Sequence, residues 1–299
     1  MSSNPRVPFE LSTQRAPLSA PKGKPLIIQL VVNLENWRFD EAMPRRLLTP
    51  PHGRETIPDV PNFSWAEYGL RSGLPRIISA LRQHGMKASC SINASVVETY
   101  PQVAEAVLEE GWEFVGHGMQ QRSLNSEEAG EEDIIAGALE ILRGSSGQTV
   151  DGWLSPGLRE TFETPDILKA HGVRYCCDWA LDDLPSWMRT TAGPLLSVPY
   201  SLEINDSVVH AVLHEGSDEM LTRFKSTLEL FTEEAVEQPR IITLGLHPHL
   251  IGVPHRFVHF RRILEIIAGR SDTIVLTSGE IADWFETVCP PPKPAAARL

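Results

Sequence analysis

The clearest pattern in the chain is an almost unbroken apolar run, PLIIQLVVNLE, at residues 25–35. It is rich in β-branched residues, and such a strand is typically buried on both faces, as in a parallel sheet or a barrel. Two polar residues, Asn33 and Glu35, close the run. Because residues two apart in a strand share a face, we expect both side chains to point into the same cavity.

Beyond this strand, apolar runs of strand length alternate with segments whose apolar residues recur at helical spacing. Seven or eight such strand–helix units follow one another without a strong linker, which indicates a parallel sheet. We therefore predict an α/β fold made of one barrel-like domain. The predicted strands, with the turns that end them, lie at 25–35, 87–93, 112–118, 152–157, 173–180, 194–203, 207–213, 240–252 and 272–278. The predicted helices lie at 65–85, 94–111, 126–147, 164–172, 218–238, 258–269 and 279–288.

The two ends of the chain lack these patterns. Residues 1–25 are polar and contain several prolines, so we predict an irregular N-terminal arm, followed by a single barrel domain at 26–288. The tail at 289–299 is predicted to be disordered, because it consists mainly of proline and alanine. Residues 36–64 contain five prolines and no clear period. Loops longer than about 12–15 residues are usually functional or disordered.

Composition narrows the classes of partner. The 299 residues include 27 Lys and Arg against 39 Asp and Glu, so the formal net charge is −12. An acidic chain repels phosphate backbones and anionic membrane surfaces, and we expect neither nucleic acid nor a membrane as a partner. The 24 prolines fall mostly in predicted strand-end loops and in the two tails. They indicate a stiffened rim on a folded scaffold.

Cysteine usage and hydropathy address the compartment. The four cysteines include no CxxC pair, and adjacent Cys176 and Cys177 rarely bridge each other, so a thiol-keeping compartment is expected. No apolar run reaches the roughly 18 residues of a membrane span. The first residues contain no apolar signal core. We therefore predict a cytoplasmic protein.

In barrels of this kind the chemistry lies at the carboxyl ends of the strands. Glu35 ends the first strand, where a carboxylate can bind a metal or act as a base; an ordinary polar strand end remains the alternative. His117 ends the third strand between Gly116 and Gly118. Flanking glycines let the backbone approach a ligand closely, and imidazole is a common ligand and acid–base group. A turn histidine satisfied by the backbone is equally compatible.

Later strands end in further candidates. His247 follows the run ITLGL, is fixed by a proline and precedes a Gly/Pro loop, an arrangement that suits general acid–base catalysis. Trp153 either lines the site or belongs to the core. Asp183 either contributes to the site or belongs to a turn before proline. Asn205 and Asp206 stand between two extended runs, which favours a hairpin turn. No GxGxxG, Walker loop or GxSxG motif lies at a strand–helix junction, so nucleotide cofactors and a serine triad are disfavoured.

Six segments taken in order resemble the motifs of the polysaccharide-deacetylase superfamily, which has the NodB-type fold. They are VVNLE, GHG, GWLSPG, DWALDDLP, VPYSLEIND and LGLHPHLIGVPHR. More narrowly, the chain resembles the branch that contains the cofactorless allantoinase and bacterial cyclic imide hydrolases. The resemblance runs from about residue 26 to about residue 287. It implies a distorted (β/α) barrel, a small-molecule substrate and a homodimer or homotetramer.

In the sugar deacetylases of this superfamily, an Asp pair supplies a base and a metal ligand, and an H-x-x-x-H motif completes the metal site. Carried over, Asn33 takes the place of the base and Glu35 that of the ligand Asp, while His117 and Gln121 take the two His positions. The resemblance implies either no cofactor or one divalent metal, expected to be zinc, held by Glu35, His117 and Gln121. However, an amide cannot act as a base, and Gln is a poorer ligand than His for such metals.

These departures favour the branch that acts on small cyclic amides, with Glu35 and His247 as the acid–base residues. Two further positions differ from the allantoinase pattern. Ser155-Pro156-Gly157 stands where a Gly-Arg pair is expected, and His249 stands where Arg is expected. Allantoin itself is therefore not specified as the substrate. The predicted substrate contacts are Asn33, Trp153, Pro156, Asp183, Asn205 and His249.

Three functions remain open at this point. The first is a hydrolase that opens the C–N bond of a small cyclic amide or imide. The second is a metal-dependent N-deacetylase of an amino sugar or another acetylated amine. The third is a binding protein whose catalytic site has decayed, for which Asn33 and Gln121 would be the trace, although Glu35, His117 and His247 are all retained.

Overall fold

Nine strands lie within the residues that the computed structural model describes, which are 3–50, 53–122, 124 and 130–292. They are β1 Leu26–Leu34, β2 Ser89–Ile92, β3 Glu113–Gly116, β4 Gly152–Trp153, β5 Tyr175–Cys176, β6 Ser186–Thr190, β7 Gly193–Ser197, β8 Arg240–Leu246 and β9 Thr273–Val275. They form one sheet in the order β6-β7-β5-β4-β3-β2-β1-β8, and β9 also pairs with β1. Every pair is parallel except the β6–β7 hairpin.

The long strand β1 organises the sheet. One of its edges pairs with β8 from Leu26 to Val32. The other edge pairs first with β9 and then, from Val31 to Leu34, with β2. The chain that follows β7 reaches β8 through a parallel bridge between Asn205 and Gly245. The sheet therefore curls towards closure, which confirms the predicted distorted (β/α) barrel.

Nine α-helices surround the sheet in the described part of the chain. They are α1 Val60–Tyr68, α2 Leu74–Gln83, α3 Ala94–Thr99, α4 Pro101–Glu109, α5 Glu131–Ser146, α6 Thr164–Ala170, α7 Glu219–Glu234, α8 Pro254–Ala268 and α9 Ser278–Val288. The helix predicted at 94–111 is two helices, because Tyr100 leaves helical geometry directly before Pro101. The first residues of the helix predicted at 126–147 lie outside the described residues.

The helix predicted at 65–85 also differs from the observed one. It begins earlier, at Val60, where the side chain of Asp59 accepts a hydrogen bond from the backbone of Asn62. A π-helical turn at Gly69–Gly73 then separates α1 from α2. Such turns are frequent at functional sites, and this one contacts the loop that carries His249, as described below.

Two predicted features of the second half of the chain are wrong. Residues 207–213 are not extended, because Ser207–Val212 forms a π-helical turn. Asn205 and Asp206 therefore do not form a hairpin turn. The true hairpin is β6–β7, whose first strand was not predicted.

Alternating residues of β1 divide the core into two layers. Ile27 and Val31 belong to an inner cluster within the curl of the sheet, which also includes Val115 of β3 and Ile241 of β8. The even-numbered residues of β1, such as Ile28, belong to an outer cluster with apolar residues of the surrounding helices. This two-sided burial is what the continuous apolar run predicts for a barrel strand.

The amino end of the barrel is closed by the first turn of α9. Glu113, the first residue of β3, accepts hydrogen bonds from the hydroxyl of Tyr175 at 2.5 Å, from Ser89 at 2.9 Å and from the backbone of Gly279 at 3.1 Å. Burial raises the pKa of Glu113 above its usual range despite these hydrogen bonds. This end of the barrel is thus filled by a hydrogen-bonded polar network.

The described part of the N-terminal arm, residues 3–25, contains no strand or α-helix and lies against the barrel. Arg6 accepts a hydrogen bond from the backbone of Arg189 in β6, and the side chain of Arg15 bonds to Ser186. Most of the predicted disordered tail, residues 293–299, lies outside the described residues. None of the four cysteines is in a disulfide. No helix in the described ranges combines the length and apolar character needed to cross a membrane.

Candidate active site

The carboxyl ends of the barrel strands direct several polar side chains inwards. Counting in steps of two from the inner residue Val31 leads to Asn33 and Glu35. The same count from the inner residues of β3 and β8 leads to His117 and His247. All four polar residues are almost completely buried. Period-two alternation therefore places them on the inner face at one end of the barrel, as expected from the sequence.

The centre of the site is a carboxylate–imidazole–carboxylate chain. Glu35 Oε1 lies 3.5 Å from His247 Nε2, and His247 Nδ1 lies 2.6 Å from Asp206 Oδ1. The other oxygen of Asp206 accepts hydrogen bonds from the backbone of His247 at 2.7 Å and of Ile251 at 3.1 Å. Asp206 therefore fixes both the ring of His247 and the loop that follows it.

These contacts determine the protonation states of Glu35 and His247. Burial alone would raise the pKa of Glu35, but the charge and hydrogen bond of His247 hold it well below its usual range. Burial alone would lower the pKa of His247, but the charges of Asp206 and Glu35 raise it to about 9. At neutral pH the arrangement is a carboxylate, an imidazolium and a second carboxylate. His247 thus carries a proton directed at Glu35.

His117 has the opposite protonation state. Its Nδ1 lies 2.5 Å from the carbonyl oxygen of Leu154. A carbonyl only accepts, so Nδ1 carries the ring proton and Nε2 keeps its lone pair. Burial lowers the pKa of His117, although the negative charge of Glu35 opposes the shift. His117 and His247 therefore differ in protonation state, which is the usual mark of divided acid and base roles.

His249 forms the wall next to His247. Its ring is 4.8 Å from the ring of Trp65 in edge-to-face contact and 5.9 Å from that of His247. Burial lowers the pKa of His249 to about 3, so the ring is neutral. Side chains at Gly69 and Gly73 would overlap the backbone of the His247–His249 segment. The π-helical turn thus needs glycine there because it packs directly on the loop that carries His247 and His249.

Asn33 and Asn205 lie close together, but their side chains bond to other groups of the protein. Both donate hydrogen bonds to the hydroxyl of Tyr200, at 2.9 Å and 3.0 Å. Asn33 also donates to the carbonyl of Leu246 at 3.2 Å. Both amide groups therefore brace the strand ends that carry Glu35 and His247. Their roles as substrate contacts remain predictions.

Two predicted contacts lie elsewhere, and a third is close by. Trp153 faces the outer layer, where it packs against Gly116. The carbonyl of Asp183 accepts a hydrogen bond from Ile241 at the amino end of β8, the end opposite His247. Neither Trp153 nor Asp183 lines the site, because strand direction and parity turn them away. Pro156 packs beside the turn after His117, so its role remains a prediction.

The donor set tests the metal site implied by the resemblance. Glu35 Oε2 is a buried acceptor without a hydrogen-bond partner, and His117 offers Nε2. The third donor is the amide of Gln121, which already faces Asn93 at 3.4 Å. No group of three His, Cys, Asp or Glu suited to a metal is present in the described residues. Catalytic zinc sites use three such ligands, so these residues do not fit one, and no step below involves a metal.

A cavity is lined by residues that follow two of these side chains in the sequence. Its volume is about 470 Å³, and its walls include Asn36 and Gln121 together with Met43 and Pro44 of the loop after β1. Asn36 directly follows Glu35, and Gln121 lies in the turn after His117. Cavities of roughly 300–1,000 Å³ are typical for small-molecule ligands. A cavity of this volume suits a compact ligand.

Comparisons with known proteins agree with this fold. Residues 63–176 match the family model for polysaccharide deacetylase. A Schizosaccharomyces pombe protein, provisionally named a polysaccharide deacetylase, is 28% identical over 305 residues, covering 90% of this chain and 93% of that protein. The resemblance to the polysaccharide-deacetylase superfamily is therefore confirmed.

Solved structures extend the match over nearly the whole chain. A PuuE allantoinase superposes with a TM-score of 0.82 at 23% identity and covers 93% of this chain and 96% of its own. A Pseudomonas aeruginosa PAO1 protein, also provisionally named a polysaccharide deacetylase, has the same TM-score, identity and coverage. The chain thus has the fold that these proteins share. Because the two values are equal, the fold does not choose between their activities.

Two residues of the candidate site are not among those that the sequence predicts. Asp206 was assigned to a hairpin turn, although it follows an extended run as the other candidates do. Tyr200 was not assigned, although its hydroxyl joins the two asparagines. The position after an extended run could have identified Asp206. The partner of Tyr200 is set by long-range packing.

Proposed function

We propose that this protein is a hydrolase of a non-peptide C–N bond that opens the ring of a small cyclic amide or imide. The observation that carries the proposal is the pair of buried imidazoles in opposite protonation states, His247 and His117, on either side of Glu35. The adjoining cavity has the volume of a small-molecule site. The shared fold with an allantoinase, a ring-amide hydrolase by name, supports the same choice.

In this proposal each group has one task. A water molecule donates one hydrogen bond to the unpartnered Oε2 of Glu35, which orients it, and loses a proton to Nε2 of His117 as it attacks the ring carbonyl. The new C–O bond forms as the ring C–N bond breaks. The electron pair leaves on nitrogen, which takes the proton from Nε2 of His247. Solvent exchange then returns a proton to His247 and removes one from His117.

Asp206 has a positioning role. It accepts the Nδ1 proton of His247, so the acidic proton stands on Nε2 beside Glu35. Its negative charge also keeps the imidazole protonated above neutral pH. A protonated ring in a fixed orientation is what the departing amide nitrogen requires, since an amide anion is a poor leaving group without a proton donor.

An N-deacetylase is the second candidate, supported by the family match at residues 63–176 and by the names of the relatives. It breaks the same kind of bond, in an acyclic acetamide. The donor set around Glu35 does not fit the zinc site that such an enzyme would use. The two candidates are therefore separated by their response to metal as well as by their substrates.

The test is turnover of two panels by one preparation purified without chelator, with its metal content measured. One panel contains succinimide, hydantoin, phthalimide and allantoin, and the other contains N-acetylated amino sugars. The proposal predicts ring opening that survives chelation and is lost in Glu35→Gln. Acetate release that depends on a stoichiometric divalent metal would establish the deacetylase instead. Specific ligand binding without turnover of any compound would favour a decayed site.

A further inference from the structure

The loop after β1 brings a cation to the site. Arg45 belongs to this loop, and its Nη1 is buried without a hydrogen-bond partner among the described residues. Its nearest arginine neighbour in sequence, Arg46, bonds instead to the carbonyl of Met43 at 3.1 Å and to the carboxylate of Glu55. Burying an arginine nitrogen without a partner is costly. Such an atom is therefore available to donate a hydrogen bond to a ligand.

Helix α1 fixes the position of this arginine. Asn62 accepts hydrogen bonds from the backbone of Leu47 at 2.8 Å and of Leu48 at 2.9 Å, and donates one back to Leu48 at 2.8 Å. Three residues further along the same helix, Trp65 contacts the ring of His249. Residues three apart lie on one helix face. The segment after Arg45 is thus hydrogen-bonded to the face of α1 that contacts His249.

The electrostatics agree with this placement. The positive charge of Arg45 contributes to the lowered pKa values of both Glu35 and His249. No described carboxylate forms an ion pair with Arg45. The site therefore presents two buried atoms without partners, an acceptor on Glu35 and a donor on Arg45. A ligand that fills the space between them must satisfy both.

We propose that Arg45 is a substrate-binding residue that donates a hydrogen bond to a second carbonyl oxygen of the substrate, and that this contact makes the site prefer rings with two carbonyls over lactams. This proposal rests on the ring-opening function proposed above. One carbonyl of the ring faces the water held by Glu35, while the other accepts from Nη1 of Arg45. A lactam has only the first carbonyl and leaves Nη1 unpartnered.

The experiment uses a matched pair of five-membered rings, succinimide with two carbonyls and 2-pyrrolidinone with one. Binding is measured by calorimetry, separately from hydrolysis, for the wild-type protein, Arg45→Met, Arg45→Lys and the control Arg46→Met. Arg45→Met is expected to weaken succinimide binding by about 10- to 100-fold, the usual range for a hydrogen bond to a charged group. It should leave 2-pyrrolidinone binding unchanged. Arg45→Lys should recover part of the loss, and Arg46→Met should match the wild type.

Each other outcome overturns a defined part of the proposal. Equal losses for the two rings, or no loss, remove Arg45 as a contact to the second carbonyl, even if the wild type hydrolyses succinimide. Wild-type binding of neither ring overturns the assignment of Arg45. If the binding difference is found but no ring is hydrolysed, the role of Arg45 stands and the proposed hydrolase function fails. Thermal unfolding of each variant checks that a loss of binding is not a loss of fold.

Discussion

The two ends of one barrel bury polar groups in opposite ways. At the amino end, Glu113 accepts three hydrogen bonds and is joined to a chain in which Thr243 donates to Gln29 at 2.7 Å and Gln29 donates to Ser278 at 2.8 Å. At the carboxyl end, Glu35 Oε2 and Arg45 Nη1 have no partner. The first arrangement pairs its polar groups within the folded chain, and the second leaves two of them unpaired.

The difference teaches how to separate structural from functional burial. The pKa of Glu113 and the pKa of His247 are both raised, so a displaced pKa alone does not mark the site. The raised pKa of Glu113 favours its neutral acid form, which needs no counter-charge. Glu35 is instead held ionised against the effect of burial, and His247 supplies the counter-charge. Burying such an ion pair is costly, so its presence points to a function rather than to stability.

Glu35→Gln is expected to give the largest contrast between the two ends. An amide keeps the shape of the side chain but loses the negative charge that orients water and faces the His247 proton. We expect turnover of the ring substrate to fall by about 10²- to 10⁴-fold, with the protein still folded. Steady-state kinetics and circular dichroism of the same preparation measure the two effects. Retention of full activity would remove Glu35 from the mechanism.

Asp206→Asn tests whether the charge of Asp206 sets the pKa of His247. The pKa of His247 is about 9 because Asp206 and Glu35 outweigh burial, so loss of the Asp206 charge lowers it towards 6.5. As a general acid, His247 works only while protonated. The descending limb of kcat/KM therefore moves from near pH 9 to lower pH, and activity at pH 8 falls by up to about 30-fold as the protonated fraction of His247 drops.

The pH–rate profile measures this shift, and Asp183→Asn is its matched control. Asp183 is a half-exposed carboxylate at the other end of β8, where it lies 3.9 Å from Arg240. Its substitution should leave the profile unchanged. A descending limb that stays in place in Asp206→Asn would show that another group supplies the proton.

Glu113→Ala should have the opposite result to Glu35→Gln. Removing this carboxyl leaves the hydroxyl of Tyr175, the hydroxyl of Ser89 and the amide of Gly279 without their acceptor. We expect the free energy of unfolding to fall by about 2–4 kcal/mol, measured by urea titration. The kcat of the folded fraction should be close to that of the wild type. A large loss of kcat at full folding would mean that the two ends are not independent.

The sequence predicted the parts of this architecture that depend on local period. The apolar run of β1 specifies its two buried faces, and steps of two along it bring Asn33 and Glu35 inside. Strand-end position likewise predicted His117 and His247. These residues were accessible because a parallel barrel gathers the carboxyl ends of its strands at one end. Local pattern therefore fixed which residues meet, but not what each one contacts.

The failures share one physical cause, which is long-range packing. The run SVVHAVL at 207–213 contains three β-branched valines, as strands often do, yet it forms a π-helical turn that leaves Asp206 bonded to His247. Gly69 and Gly73 look like helix interruptions, and their need for close approach exists only once the His247–His249 segment packs on them. The position of Arg45 likewise could not be predicted locally, because it depends on the bonds of Asn62 and on a site formed by distant strands.

The smallest expected effect concerns a second pair of buried atoms without donors, in Glu160 and Asp178. Glu160 and Asp178 also bury oxygens without a donor, near the carboxyl end, but they face each other, with Ser155 and Trp179 donating to their outer oxygens at 2.7 Å and 2.8 Å. Burial and the charge of Asp178 raise the pKa of Glu160 to about 9. The two carboxyl groups therefore share a proton at neutral pH, and their pairing is structural.

The pH dependence of stability tests this pairing. The folded pKa of Glu160, about 9, lies above its ordinary value of 4.5, so its contribution to stability is complete below pH 4.5 and is lost as pH rises towards 9. Glu160→Gln keeps a donor to Asp178 that does not titrate. Relative to the wild type, this variant should therefore gain a few °C in unfolding temperature at pH 8.5 compared with pH 5, as measured by calorimetry. The same difference at both pH values would mean that no proton is shared, and these oxygens would then join Glu35 and Arg45 as groups that await a ligand.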